Sequence, residues 1–146
     1  IKKEKTIDYE VLSFQEKAAE QADDANKKSN YYKEIAKAYL ATSQLPKATE
    51  AIGKALEVRS KDVETLFLQT LVHYKQKKFT EVVKTLDVII SHSQDEKLLS
   101  KFYLLKGLSQ MELKQQNVAR KTLSMVKSNP YKFIVRDLIR QSQTPN

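Results

Sequence analysis

Three residue pairs, each twelve positions apart, constrain this chain more than any other feature. They are Ala36 with Ala48, Thr70 with Val82, and Gly107 with Ala119. An apolar frame returns around every pair. Leu45, Phe79 and Gln116 stand three residues before the second member, Ile52, Leu86 and Leu123 four after it, and Ala55, Ile89 and Val126 seven after it. The copies are offset by 34 and then 37 residues. A register kept through three copies predicts one supersecondary unit used three times.

The stretch from Tyr31 to Val58 shows what the unit is. Tyr32, Ile35, Ala36 and Tyr39 mark one stripe of a 3.6-residue helix, and Ala48, Ala51, Ile52, Ala55 and Leu56 repeat the spacing after Pro46. Pro46 suits a first helical turn, whose N–H has no intrahelical acceptor. The joint from Ala41 to Leu45 is short enough to require an antiparallel helical hairpin. Small side chains at Ala36 and Ala48 let the two backbones approach.

The pattern resembles the tetratricopeptide repeat, a 34-residue helix–turn–helix unit, over roughly residues 29–130. The repeats span about 29–62, 63–96 and 100–130. Tyr32, Leu66 and Tyr103 stand at the family's first aromatic position, and Pro130 matches its closing proline, where Ser60 and Gln94 stand in the other copies. The resemblance implies an all-α fold, a right-handed helical-repeat solenoid of stacked antiparallel helix pairs. Residues 1–28 would add an N-terminal helix, and residues 131–146 a C-terminal capping helix and tail.

Outside the repeats, Ile1 to Lys5 reads as a charged lead-in. Asp8 is positioned as an N-cap for a helix running to about Asn26, with Ile7, Val11, Phe14, Ala18 and Ala25 as its packing stripe. This helix would cover the first hairpin as a half-repeat, or dock elsewhere, including into a partner. Asp62 is the expected N-cap of the second repeat, and Asp95-Glu96 reads as a solvated linker. The second helix of the third repeat should reach about Lys127. Ser128-Asn129-Pro130 would end it and start the last helix, which is expected to bury Phe133 or Ile134 with Leu138 and Ile139. Gln141 to Asn146 reads as a disordered tail.

Composition narrows the function. With two Gly and three Pro in 146 residues, and no period-two runs, a β-rich fold is excluded. No apolar run approaches the roughly 20 residues that span a bilayer, and nothing resembles a signal peptide. The chain opens on Ile rather than Met, which reads as a fragment or a processed form. Cysteine is absent and only His73 and His92 are present, so neither a disulfide nor a histidine metal centre is expected. No cofactor is expected either. Paired carboxylates, a Ser–His–acid set, a glycine-rich phosphate loop and HExxH are all missing, so the chain reads as non-catalytic.

The charge of +8 is confined to one region. Residues 1–96 hold 16 basic and 16 acidic side chains, whereas residues 97–146 hold 10 basic against Glu112 and Asp137. Only four of the 26 basic residues are Arg, which weighs against phosphate or base recognition and ranks a protein partner above nucleic acid.

In tetratricopeptide arrays the first helices line an inner groove. Register carries those positions onto Lys33 and Lys37, onto Phe67, Leu71 and Tyr74 beside Glu64, and onto Lys101, Leu104, Leu108 and Met111. A groove stripe added to a packing stripe accounts for the apolar character of the second and third first helices all round. An open strip of that size would be a binding surface. The implied role is an adaptor or scaffold that takes an amphipathic or extended partner segment with acidic flanks. The alternative is a groove filled by the chain's own terminal helix, with assembly, including self-association, through the outer faces. Some arrays of this kind clamp a chaperone tail's carboxylate; Lys33 and Lys101 match that clamp, but Lys37, Leu68 and Leu105 replace its other three residues.

Overall fold

The computed structural model describes residues 8–128 and 131–142. Among these residues there are eight α-helices and no strand, so the chain is all-α. They form two compact units, Ile1–Val72 and His73–Asn146, and the division falls within one continuous helix, α4 (Val63–Lys75).

In the first unit, α1 (Tyr9–Gln21) packs on α2 (Ala25–Ala41), which packs along α3 (Leu45–Val58). The hairpin forms because Ala36 and Ala48 are fully buried and add almost no bulk between the two helices. Tyr32, Ile35, Ile52 and Ala55 complete its core, and Leu68 and Val72 of α4 join it. In the second unit α5 (Phe79–Ser91) packs on α6 (Glu96–Glu112), and α6 on α7 (Gln116–Leu123). The last helix, α8 (Tyr131–Ser142), lies against both α6 and α7. Gly107 on α6 has no room for a side chain: a Cβ there would come 2.4 Å from Leu123 Cδ2.

The repeat appears in the turns as well. Ser43, Lys77 and Lys114 have φ of 58°, 60° and 63°, spaced at the same offsets of 34 and 37. Each donates its N–H three residues back, to Leu40, Tyr74 and Met111, while the next N–H reaches five back to Tyr39, His73 and Gln110. This is the Schellman closure of a helix end, made three times without glycine. The frame residues Ile52, Leu86 and Leu123, and Ala55, Ile89 and Val126, are all buried.

Three helix boundaries and two helix faces differ from expectation. The first helix ends at Gln21, because Asp24 caps a new helix by accepting from the N–H groups of Asn26 and Lys27. Asp95 likewise caps α6 through Lys97 and Leu98, so Asp95-Glu96 is a helix start and not a linker. Both carboxylates satisfy N–H groups that a helix leaves without acceptors. α7 stops at Leu123; beyond it the N–H groups of Lys127 and Ser128 donate to the buried Ser100 hydroxyl of α6.

The helix faces were the other difference. α1 buries Leu12 and Ala19, while Val11 and Phe14 of the expected stripe are 50% and 63% exposed. On α8 the buried residue is Val135, with Leu138 and Ile139 half-buried; Phe133 is 68% exposed and Ile134 is exposed too. Asp8 and Asp62 cap α1 and α4 as expected. Ile7, the lead-in, Asn129, Pro130 and the tail beyond Ser142 lie outside the described residues.

Candidate functional site

The residues expected to line a groove come from α2, α4 and α6. On α2, Lys33 is not presented to a ligand. It is buried, and its ammonium lies 3.3 Å from Asp62 Oδ2 and 3.2 Å from Glu64 Oε2. Lys37, half-exposed one turn later, sits 2.7 Å from Glu64 Oε1 and 3.1 Å from Glu34 Oε1. Two ammonium groups thus face three carboxylates, a local excess of one negative charge.

The acidities follow from this geometry. The hydrogen bond from Lys37 holds Glu64 below its ordinary 4.5, against burial, and Lys33 adds to the effect. Burial pushes Asp62 up, but the hydroxyl and N–H of Thr65 together with Lys33 outweigh it and leave it below 3.8. Glu64 raises Lys37 above 10.5, again against burial. Asp62 does two jobs: it caps α4 through Thr65 and anchors Lys33.

On α4, Phe67, Leu71 and Tyr74 are half-buried. Within the second unit the Tyr74 ring meets Phe79 edge-on at 5.5 Å, and burial raises its phenol above 10.0. On α6, Lys101 is exposed and Leu108 half-buried. Leu104 and Met111 pack against the cluster of Leu123, Val126 and Val135, to which Leu138 and Ile139 of α8 also belong. In this unit the terminal helix therefore covers part of the stripe.

A cleft of about 290 Å³ in the first unit is lined by Glu16, Glu20, Tyr39, Lys47, Glu50 and Lys54, among others. Tyr39 donates its hydroxyl to Glu16 at 3.1 Å, and burial, aided by Glu16, raises its phenol above 10.0. Lys47 lies over the Tyr39 ring at 5.5 Å, and Lys54 over Tyr32 at 5.7 Å. A phenol made a weaker acid by its neighbours is poorly placed to donate a proton near neutrality. Among the described residues no three His, Cys, Asp or Glu side chains gather as a metal group. No helix of the described residues is long and apolar enough to cross a membrane.

The largest exposed apolar side chains lie on the first and last helices: Phe133, Phe14 and Tyr9, at 68%, 63% and 62%. Val11, Phe14 and Ala18 fall at i, i+3 and i+7, so they share one outward face of α1. On α8 the Arg136 guanidinium lies 5.9 Å from the centre of the Phe133 ring. Sequence reasoning had assigned Phe14 and Phe133 to packing; helical period identifies a stripe but not the direction it faces. No protein family, curated protein or solved structure that was compared matches this chain.

Proposed function

We propose that this chain is a non-catalytic protein-interaction module. Its three hairpins form a helical repeat of the tetratricopeptide kind, preceded by one helix and closed by another. Each terminal helix presents an outward face to a partner, and the stripe first expected to take one serves mainly for packing and ion pairing.

The observation that carries this reading is the distribution of apolar side chains. Val11 and Phe14 on α1 and Phe133 on α8 stand in solvent, while Leu104 and Met111 pack inside the second unit. Single exposed apolar residues are ordinary. Two on one helical face, and a phenylalanine among arginines, are the composition of interface anchors. Lys33 and Lys37 leave the list of ligand contacts, because Lys33 is buried against Asp62 and Glu64, and Lys37 is already paired with Glu64 and Glu34.

Affinity capture with the wild-type chain and with Val11→Glu/Phe14→Glu tests this. Variant and wild type should melt alike, since these side chains are half or more exposed. Partners enriched by the wild type should be lost from the variant. Their retention by that variant and by Phe133→Glu would reject the terminal faces as the site.

A further inference from the structure

α8 has two faces of opposite character. Tyr131, Val135, Leu138 and Ile139 turn to the cluster around Leu123 and Val126. The other face carries Lys132, Phe133, Arg136 and Arg140, all exposed, with Asp137 as its acidic residue. Positions 133, 136 and 140 are spaced i, i+3 and i+7, so they align along one side. Phe133 is thus a solvated aromatic ring with a lysine beside it and two arginines on its own stripe.

The unit that holds this helix carries the entire charge of the chain. Residues 73–146 contain 14 basic and 6 acidic side chains, whereas residues 1–72 contain 12 of each. From this juxtaposition we infer that the outward face of α8 is the docking site for an acidic protein segment. Phe133 enters an apolar recess of that segment, and Lys132, Arg136 and Arg140 meet the carboxylates around it. The inference rests on the protein-binding reading above and gives the chemistry of its partner.

Charge complementarity selects the occupant. Arginine forks hold carboxylates in two-point contact, and the positive field of the unit draws an acidic segment in. A strand of nucleic acid would use a succession of stacking rings; here a single ring stands out, and Arg136 lies over it. A bilayer surface takes a broad apolar face, and the broad apolar face of α8 is the one packed inward.

The full chain, labelled with nitrogen-15, can be titrated with a random copolymer of glutamate and tyrosine while amide shifts are followed. Poly-uridine RNA and phosphatidylcholine–phosphatidylserine vesicles serve as parallel probes. Shifts should centre on Lys132, Phe133, Arg136 and Arg140. Phe133→Ala should weaken the copolymer about tenfold, and Arg136→Glu with Arg140→Glu should remove binding. Lys75→Glu with Lys77→Glu, an equal charge change elsewhere on the unit, should leave it within about twofold. Circular dichroism checks that every variant stays folded. Equal loss in the Lys75/Lys77 variant would reduce the effect to net charge and overturn the inference. RNA or vesicles binding these residues as tightly as the copolymer would also overturn it. So would an unshifted α8, and if Val11→Glu/Phe14→Glu still lost captured partners, the protein-binding reading itself would stand.

Discussion

Gly107 and Leu123 occupy space that only one side chain can fill: a Cβ on Gly107 would lie 2.4 Å from Leu123 Cδ2. The third hairpin closes through this contact. Gly107→Ala should therefore cost about 1–3 kcal/mol by overpacking. Gly53 makes the opposite case, exposed on α3 with nothing near a built Cβ. Gly53→Ala should stabilise by about 0.5–1 kcal/mol through the unfolded chain. Urea unfolding midpoints of the two variants should move in opposite directions.

Ser43, Lys77 and Lys114 hold left-handed backbone just past the ends of α2, α4 and α6, a conformation that strains any residue with a Cβ. Glycine at each should raise stability by up to about 1 kcal/mol. Thermal melting of the single and triple variants checks this. A triple variant no more stable than wild type would mean the turns are not held as described.

The first and third hairpins were legible from the sequence because small residues at a fixed spacing leave few alternatives. Ala36, Ala48 and Ala119 are each fully buried as that spacing implies. The turns were not legible, since Ser43, Lys77 and Lys114 are not the glycines that usually mark left-handed backbone. Asp24 fell inside a helix expected to run to about Asn26, and Asp95 was read as a linker, because a capping carboxylate looks like any other acidic residue in sequence. The candidate site was harder. The pairing of Lys33 with Asp62 and Glu64 crosses from one helix to another, 29 and 31 residues along the chain. No helical spacing within one element reports such a pair. The outward turn of Val11 and Phe14 depends on Leu12 and Ala19 facing α2 instead.

Lys33→Met should destabilise the chain by about 1–3 kcal/mol, because Asp62 would lose its buried cation. Lys37→Met, at a half-exposed pair, should cost less than about 1 kcal/mol. Adding Asp62→Asn to Lys33→Met should recover part of the loss. Chemical denaturation of the double-mutant cycle measures that coupling.

Acid should weaken the same network. Glu64 and Asp62 are held below 4.5 and 3.8 in the folded chain, so their ionised forms favour folding. That contribution is present above those ordinary values and is lost as pH falls through the lower folded ones. The melting temperature should drop below about pH 4.5, and less steeply in Asp62→Asn/Glu64→Gln. Lys37, raised above 10.5, acts with the opposite sign: its contribution holds below 10.5 and fades as pH rises through the folded value.

Two buried serines should behave differently. Ser100 accepts from the N–H groups of Lys127 and Ser128, so Ser100→Ala should cost about 1–3 kcal/mol by orphaning them. The hydroxyl of Ser29 has no hydrogen-bond partner among the described residues, and Ser29→Ala should be neutral or stabilising. Unfolding free energies of the two variants decide it.

Hydrogen exchange of the full chain, with and without a captured partner, tests the central functional claim most directly. Binding on the terminal helices predicts slowed exchange within Tyr9–Gln21 and Tyr131–Ser142, with α4 and α6 unchanged. Protection confined to residues 67–74 and 104–111 would contradict the account and return the site to the stripe of Leu71 and Leu108.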